Sequence, residues 1–149
     1  MASKFEYVTY IKTTPEKFWA TFTDTEMQKK FWFGVHVETE GAVGDPWSLT
    51  YADGRVTDIG KILELDRMKR LVASWTNQVK PEFIAEGESR WEMVIEPKGY
   101  AVKVTLTHSM ERDNSKLIAA VSAVWPMVIS NLKSLLETGS IALKDPSQG

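Results

Sequence analysis

One change of rhythm limits what this chain can fold into. From about Lys30 to about residue 109, apolar and polar residues alternate with period two, broken by turn residues at intervals that suit an antiparallel sheet. From Leu117 to Leu136 the apolar positions Leu117, Val121, Val124, Trp125, Val128, Ile129, Leu132, Leu135 and Leu136 recur instead at three- and four-residue steps, the signature of one helix face. A sheet with one apolar face must bury it, and this last segment is the only element large enough to lie across it. The pattern predicts an α+β helix-grip: a curved antiparallel sheet of six to seven strands around a long C-terminal helix.

The N-terminal third fits the same plan. Residues 3–12 are rich in β-branched and aromatic side chains and read as a first strand. Two short helices follow. Thr13 or Thr14 caps the first, with Pro15 and Glu16 in its opening turn and Phe18, Trp19 and Phe22 as a bulky stripe. The spacing from Thr23 to Glu26 predicts a capping box for the second, which ends near Lys30. Asp53-Gly54 is the strongest hairpin signal. Residues 77–87 read as a long polar connection. Pro126 predicts a kink or a break into two helices, and Gly139 a left-handed cap. With 149 residues the chain is sized for one domain, residues 1–149, with a loose tail from about 141.

Composition narrows the function. The absence of Cys removes disulfide scaffolds, thiolate metal sites and Cys nucleophiles. Two histidines without ligand spacing point away from a metal, and no cofactor motif is present. A net charge of −2 without a basic run argues against nucleic acid, and the apolar stretch 117–129 is short for a membrane span. A cytoplasmic location is the expectation.

Several segments resemble the activator of heat-shock-protein-90 ATPase homologue-like family, within the START-related helix-grip superfamily that includes the birch-pollen allergen fold. They are Tyr10 to Trp19, Thr23-Asp24, Asp53-Gly54, Gly60 to Leu65, Arg70 to Val72, Ser74-Trp75, Thr105 to His108 and, most specifically, Trp125 to Gly139. The resemblance covers about residues 5–140. It implies the helix-grip fold and a stress-related, co-chaperone-like partnership with the 90-kDa heat-shock chaperone. In two-domain eukaryotic relatives the ATPase-stimulating motif lies mainly in a different domain. Across the superfamily it also implies lipid carriers, receptors and cyclases.

The period-two register turns Trp47, Tyr51, Trp75, Trp91, Met93 and His108 toward the space beneath the long helix, with Met127 and Val128 facing them. These side chains either line an apolar cavity with a few polar handles, the common form of a small-molecule site, or fill the core outright. His108 is a candidate general base, but no acid is visibly placed to orient it, which favours a structural role. His36 is expected on the exposed face; Asp58 and Ser89 have no fixed register. Trp32, Phe33, Phe83 and Ile84 are candidates for loops at the cavity mouth. Three functions follow: a binding module for a small hydrophobic molecule, a chaperone-associated protein, and a cyclase- or hydrolase-like enzyme using His108.

Overall fold

A computed structural model describes residues 2–144. Seven strands form one antiparallel sheet: β1 (Ser3–Ile11), β2 (Val35–Thr39), β3 (Pro46–Tyr51), β4 (Val56–Asp66), β5 (Arg70–Asn77), β6 (Ser89–Lys98) and β7 (Ala101–Met110). Their order is β1-β7-β6-β5-β4-β3-β2, so consecutive strands are neighbours except where β1 closes on β7. Period-two burial is cleanest on β7, where Val102, Val104, Leu106, His108 and Met110 point inward and the residues between them are half-exposed. On the other face Arg70 bonds Glu92 and Glu64, within the charged alternation expected of a solvated surface.

The first helix, α1 (Pro15–Ala20), starts at Thr14, whose hydroxyl accepts from the Lys17 N–H, with Pro15 in the first turn. The second, α2 (Thr25–Phe31), is capped by Asp24, whose carboxylate accepts from the Met27 N–H at 3.0 Å. The Thr23 capping box is therefore not formed: Thr23 donates its hydroxyl to the Ala20 carbonyl, and Glu26 pairs with Lys29. Within the expected polar connection lies another helix, α3 (Pro81–Glu86).

The long helix α4 (Lys116–Thr138) is one element with Pro126 inside it, rather than two helices. Ser115 caps it by accepting from Ile118, and the Glu86 carboxylate at the end of α3 accepts from the Lys116 and Leu117 N–H groups. Gly139, at φ 84°, supplies the left-handed cap. By length and composition α4 could cross a membrane, but Leu117, Ile118, Trp125, Val128, Ile129, Asn131, Leu132 and Leu135 are buried in the fold. It packs mainly on β1 and on α2, with smaller contacts to α3 and β7. The β2–β4 side of the sheet thus lies away from α4, and this asymmetry positions the site.

The segment after α4 is fastened as far as Leu143. Asn131 is fully buried; its Oδ1 accepts from the Ala142 and Leu143 N–H groups, and its amide donates to the Leu143 carbonyl. Of the rest of the tail expected to be loose, Lys144 is exposed and residues 145–149 lie outside the described residues.

Candidate functional site

Five indoles meet in the interior. Trp75 is at the centre, with ring centroids 4.6 Å from Trp47, 5.5 Å from Trp125, 6.3 Å from Trp32 and 6.4 Å from Trp91. The His108 ring adjoins it at 5.3 Å. Neighbouring inward positions on β3, β5 and β6, together with the end of α2 and the middle of α4, bring these rings to one place.

On one side of the cluster every polar atom is committed. The Trp125 N–H donates to His108 Nδ1 at 3.1 Å, so Nε2 carries the proton of the neutral ring and donates to Ser89 Oγ at 2.8 Å. The Ser89 hydroxyl donates onward to the Trp75 carbonyl at 3.0 Å. Burial pushes the His108 pKa down to about 4. Asp58 faces inward and accepts from Trp75 Nε1 at 2.7 Å and from the Asn77 amide at 3.2 Å. Burial raises its pKa, and hydrogen bonds from Thr57, Trp75 and Asn77 offset part of the rise.

A cavity of about 330 Å³ opens on the other side. Its buried floor is Trp47, Ile62, Ala73, Trp75 and Trp91; Trp19, Phe22, Trp32, Val37 and Leu71 form the half-buried walls, and Thr23, Thr39, Glu40, Gly41, Leu65 and Arg67 the exposed rim. The rim residues belong to the connections joining α1 to α2, β2 to β3 and β4 to β5 or, for Thr39 and Leu65, to the strand ends beside them, so the mouth is at that end of the sheet. The space exists because Ala73 sits directly across the β5–β6 ladder from Trp91 and contributes only a methyl group.

A break in the β4–β5 ladder shapes the floor. Between the pairs Ile59–Thr76 and Ile62–Ala73, the Lys61 N–H donates to the Ser74 hydroxyl, and Trp47 Nε1 takes the Ser74 carbonyl at 3.0 Å. Gly60 makes this possible. A Cβ there would stand 1.8 Å from the Ser74 oxygen and 2.6 Å from Trp47 Nε1.

Of the candidate residues, Trp32, Trp47, Trp75 and Trp91 come together around the cavity. His108, Met93, Tyr51, Met127 and Phe33 do not line it. His108 is enclosed behind Trp75 and Trp125, and Met93 is core. Tyr51 lies at the hairpin end of β3 under the Arg55 guanidinium, Met127 is partly buried on α4, and Phe33 is the left-handed residue leading into β2. Phe83 and Ile84 are at the opposite end of the sheet from the mouth: Phe83 packs on Met110, Leu117 and Ile118, while Ile84 is exposed. His36 is more buried than expected, its side chain 12% exposed and 3.1 Å from Glu38. The space also lies under α1 and α2, not under α4. Leu71 and Ala73 alternate in phase with Trp75 and Ile62 reads as part of the preceding strand, though none of them stands out as a site residue; Trp19 and Phe22 belong to the stripe legible in the first helix, and Arg67 carried no signal of its own. No cluster of three or more metal-ligating side chains occurs among the described residues.

A seven-stranded sheet gripping one long helix, with an apolar space at one end, defines a helix-grip protein. The chain belongs to the Activator of Hsp90 ATPase homolog 1-like protein family, whose pattern matches residues 12–137. No curated protein matches it. Among solved structures it is similar to a Mesorhizobium loti protein at 18% identity and TM-score 0.77, covering 93% of this chain and 100% of that one. The Aha1 dimer of Colwellia psychrerythraea is 21% identical at TM-score 0.70, covering 92% and 98%. An HSP90 activator from Plasmodium falciparum is 20% identical at TM-score 0.70, covering 89% and 95%. At these identities the likeness is one of fold.

Proposed function

We propose that the protein binds a small apolar molecule in the cavity beneath α1 and α2. The observation that carries this reading is the open space itself: 330 Å³ walled by five indoles and a phenyl ring. Filling it removes aromatic surface from water at about 25 cal/mol per Å². Titration with a naphthalene-based fluorophore tests it. Saturable one-to-one binding to a sample that unfolds cooperatively is expected; absence of binding to such a sample overturns the reading.

A second reading rests on the family and on the Plasmodium neighbour, which is described as an HSP90 activator. It makes the 90-kDa chaperone a partner of this chain's surface. Stimulation of that chaperone's ATPase by the purified protein is its test, and no change in turnover at saturating protein removes it. His108 supports neither reading directly: both of its ring nitrogens are engaged within the core.

A further inference from the structure

Gln28, in the middle of α2, is a primary amide sealed in the interior at 2% exposure. Burying an amide is costly unless both of its ends are bonded, and here both are. Its Nε2 donates to the Thr21 carbonyl at 2.8 Å, and its Oε1 accepts from the Val37 N–H, also at 2.8 Å. The two partners belong to segments that wall the cavity. Thr21 follows α1 directly and is itself buried, its hydroxyl donating to the Phe18 carbonyl, and Phe22 and Thr23 next along the chain line the space. Val37 lines it from β2, with Thr39 two residues on. Among the described residues no other side-chain hydrogen bond joins α1, α2 or their connection to β2.

Helices of six and seven residues do not hold themselves in place, so where these walls stand depends on such ties. A Met at position 28 would fill a similar volume without fixing any distance. The amide does fix one. Its oxygen and nitrogen hang on a single carbon, so the Thr21 carbonyl and the Val37 N–H are held at one separation, and the wall residues beside them with it.

Resting on the cavity reading above, we propose that Gln28 is a positioning residue that fixes the spacing of the cavity walls and thereby limits the occupant to about two fused aromatic rings. The size follows from volume. An apolar cavity of about 150 Å³ takes up benzene, so 330 Å³ holds roughly twice that. To be enclosed, a larger molecule has to part Phe22 and Thr23 from Val37 and Thr39, which strips Gln28 of a bond and leaves a buried amide unpaired.

The test compares 2-naphthol with 1-hydroxypyrene, which carry one hydroxyl on two and on four fused rings. Both are titrated by fluorescence into wild type and into Gln28→Met, which keeps the length of the side chain and removes both bonds. Wild type is expected to bind the naphthol the more tightly, although the larger hydrocarbon is driven from water more strongly. In Gln28→Met the affinity ratio is expected to move toward the hydroxypyrene by about fivefold or more. Hydrogen exchange at the Val37 amide is expected to quicken by more than any loss of global stability accounts for. A role in stability alone leaves the ratio as it is in wild type. That result overturns the proposal, as does a wild type that takes hydroxypyrene as tightly as naphthol, and in both cases the cavity reading stands. Failure of both probes to bind cooperatively folded wild type overturns the cavity reading itself. Should Gln28→Met not fold, Gln28→Glu is read in its place, since its carboxylate still accepts from Val37 but has no hydrogen for Thr21. With neither variant folded, the wild-type order of the two probes alone decides.

Discussion

Around His108, on one side of the aromatic cluster, every polar atom has a protein partner and the rings close on one another. Around Trp91, on the other side, the same kinds of residue project from adjacent strands and leave a space. Residue type does not separate the two regions. Cover and one small side chain do. Trp125 of α4 reaches down onto His108 and Trp75, whereas the space beside them is walled by Trp19 of α1, Phe22 just after it and Trp32 at the end of α2, and Ala73 supplies only a methyl group. An aromatic interior becomes a container where its roof is supplied by a different element from the one that fills the rest of the core.

The strongest way to break this contrast is Gly60→Ala. The new Cβ would collide with backbone at the Ser74 carbonyl and with Trp47 Nε1, and neither is the free end of a flexible side chain. A loss of about 3 kcal/mol or more is expected, or failure to fold, read by chemical denaturation. Both sides of the cluster suffer together, because Trp47 and Trp75 belong to each.

The next effect sharpens the saturated side alone. The His108 pKa is lowered from an ordinary 6.5 to about 4, so the folded state resists a proton that the unfolded chain accepts. Stability contributed by the neutral ring is present above pH 6.5 and is lost as pH falls toward 4, by about 3 kcal/mol in all. In His108→Gln that part of the acid dependence disappears, although the variant starts less stable at pH 7. Denaturation midpoints between pH 7 and 4 read the difference. Binding of an apolar probe, measured on the folded fraction, is expected to change little.

The smallest effect on stability falls on the open side. Ala73→Leu places a larger side chain in the cavity opposite Trp91. Probe affinity is expected to fall at least tenfold while stability moves by no more than about 1 kcal/mol. Retained affinity in a variant that melts like wild type would place the bound probe elsewhere.

Much of the fold was legible because its signals are periodic and long. The alternation from Val102 to His108 and the helical steps from Leu117 to Leu136 each repeat enough to fix a face, and Gly139 ends the helix where its cap is needed. Short elements were harder. α3 is six residues with no side-chain cap, and its only sign is Pro81 followed by Glu82. At the start of α2, Asp24 and Thr23 are both good caps, and the chain uses the one a residue closer to the helix. The tryptophans were legible as inward residues, but which of them would meet empty space was not. That depends on where α4 lies across the sheet, and the same placement leaves Met127 off the cavity and Tyr51 at its hairpin. The roles of Ala73 and Gly60 depend on ladder partners a strand away, which no local pattern carries.

The cluster also makes the protein its own optical instrument. Of its six tryptophans, all except Trp125 line the cavity, and Trp125 lies 6.3 Å from Trp91 and 5.5 Å from Trp75. The five clustered indoles, Trp32, Trp47, Trp75, Trp91 and Trp125, are close enough to share excitation, so much of the ultraviolet emission reports on the wall of the cavity rather than on scattered sites. An event that wets, fills or reshapes that space is written into the native spectrum without any label.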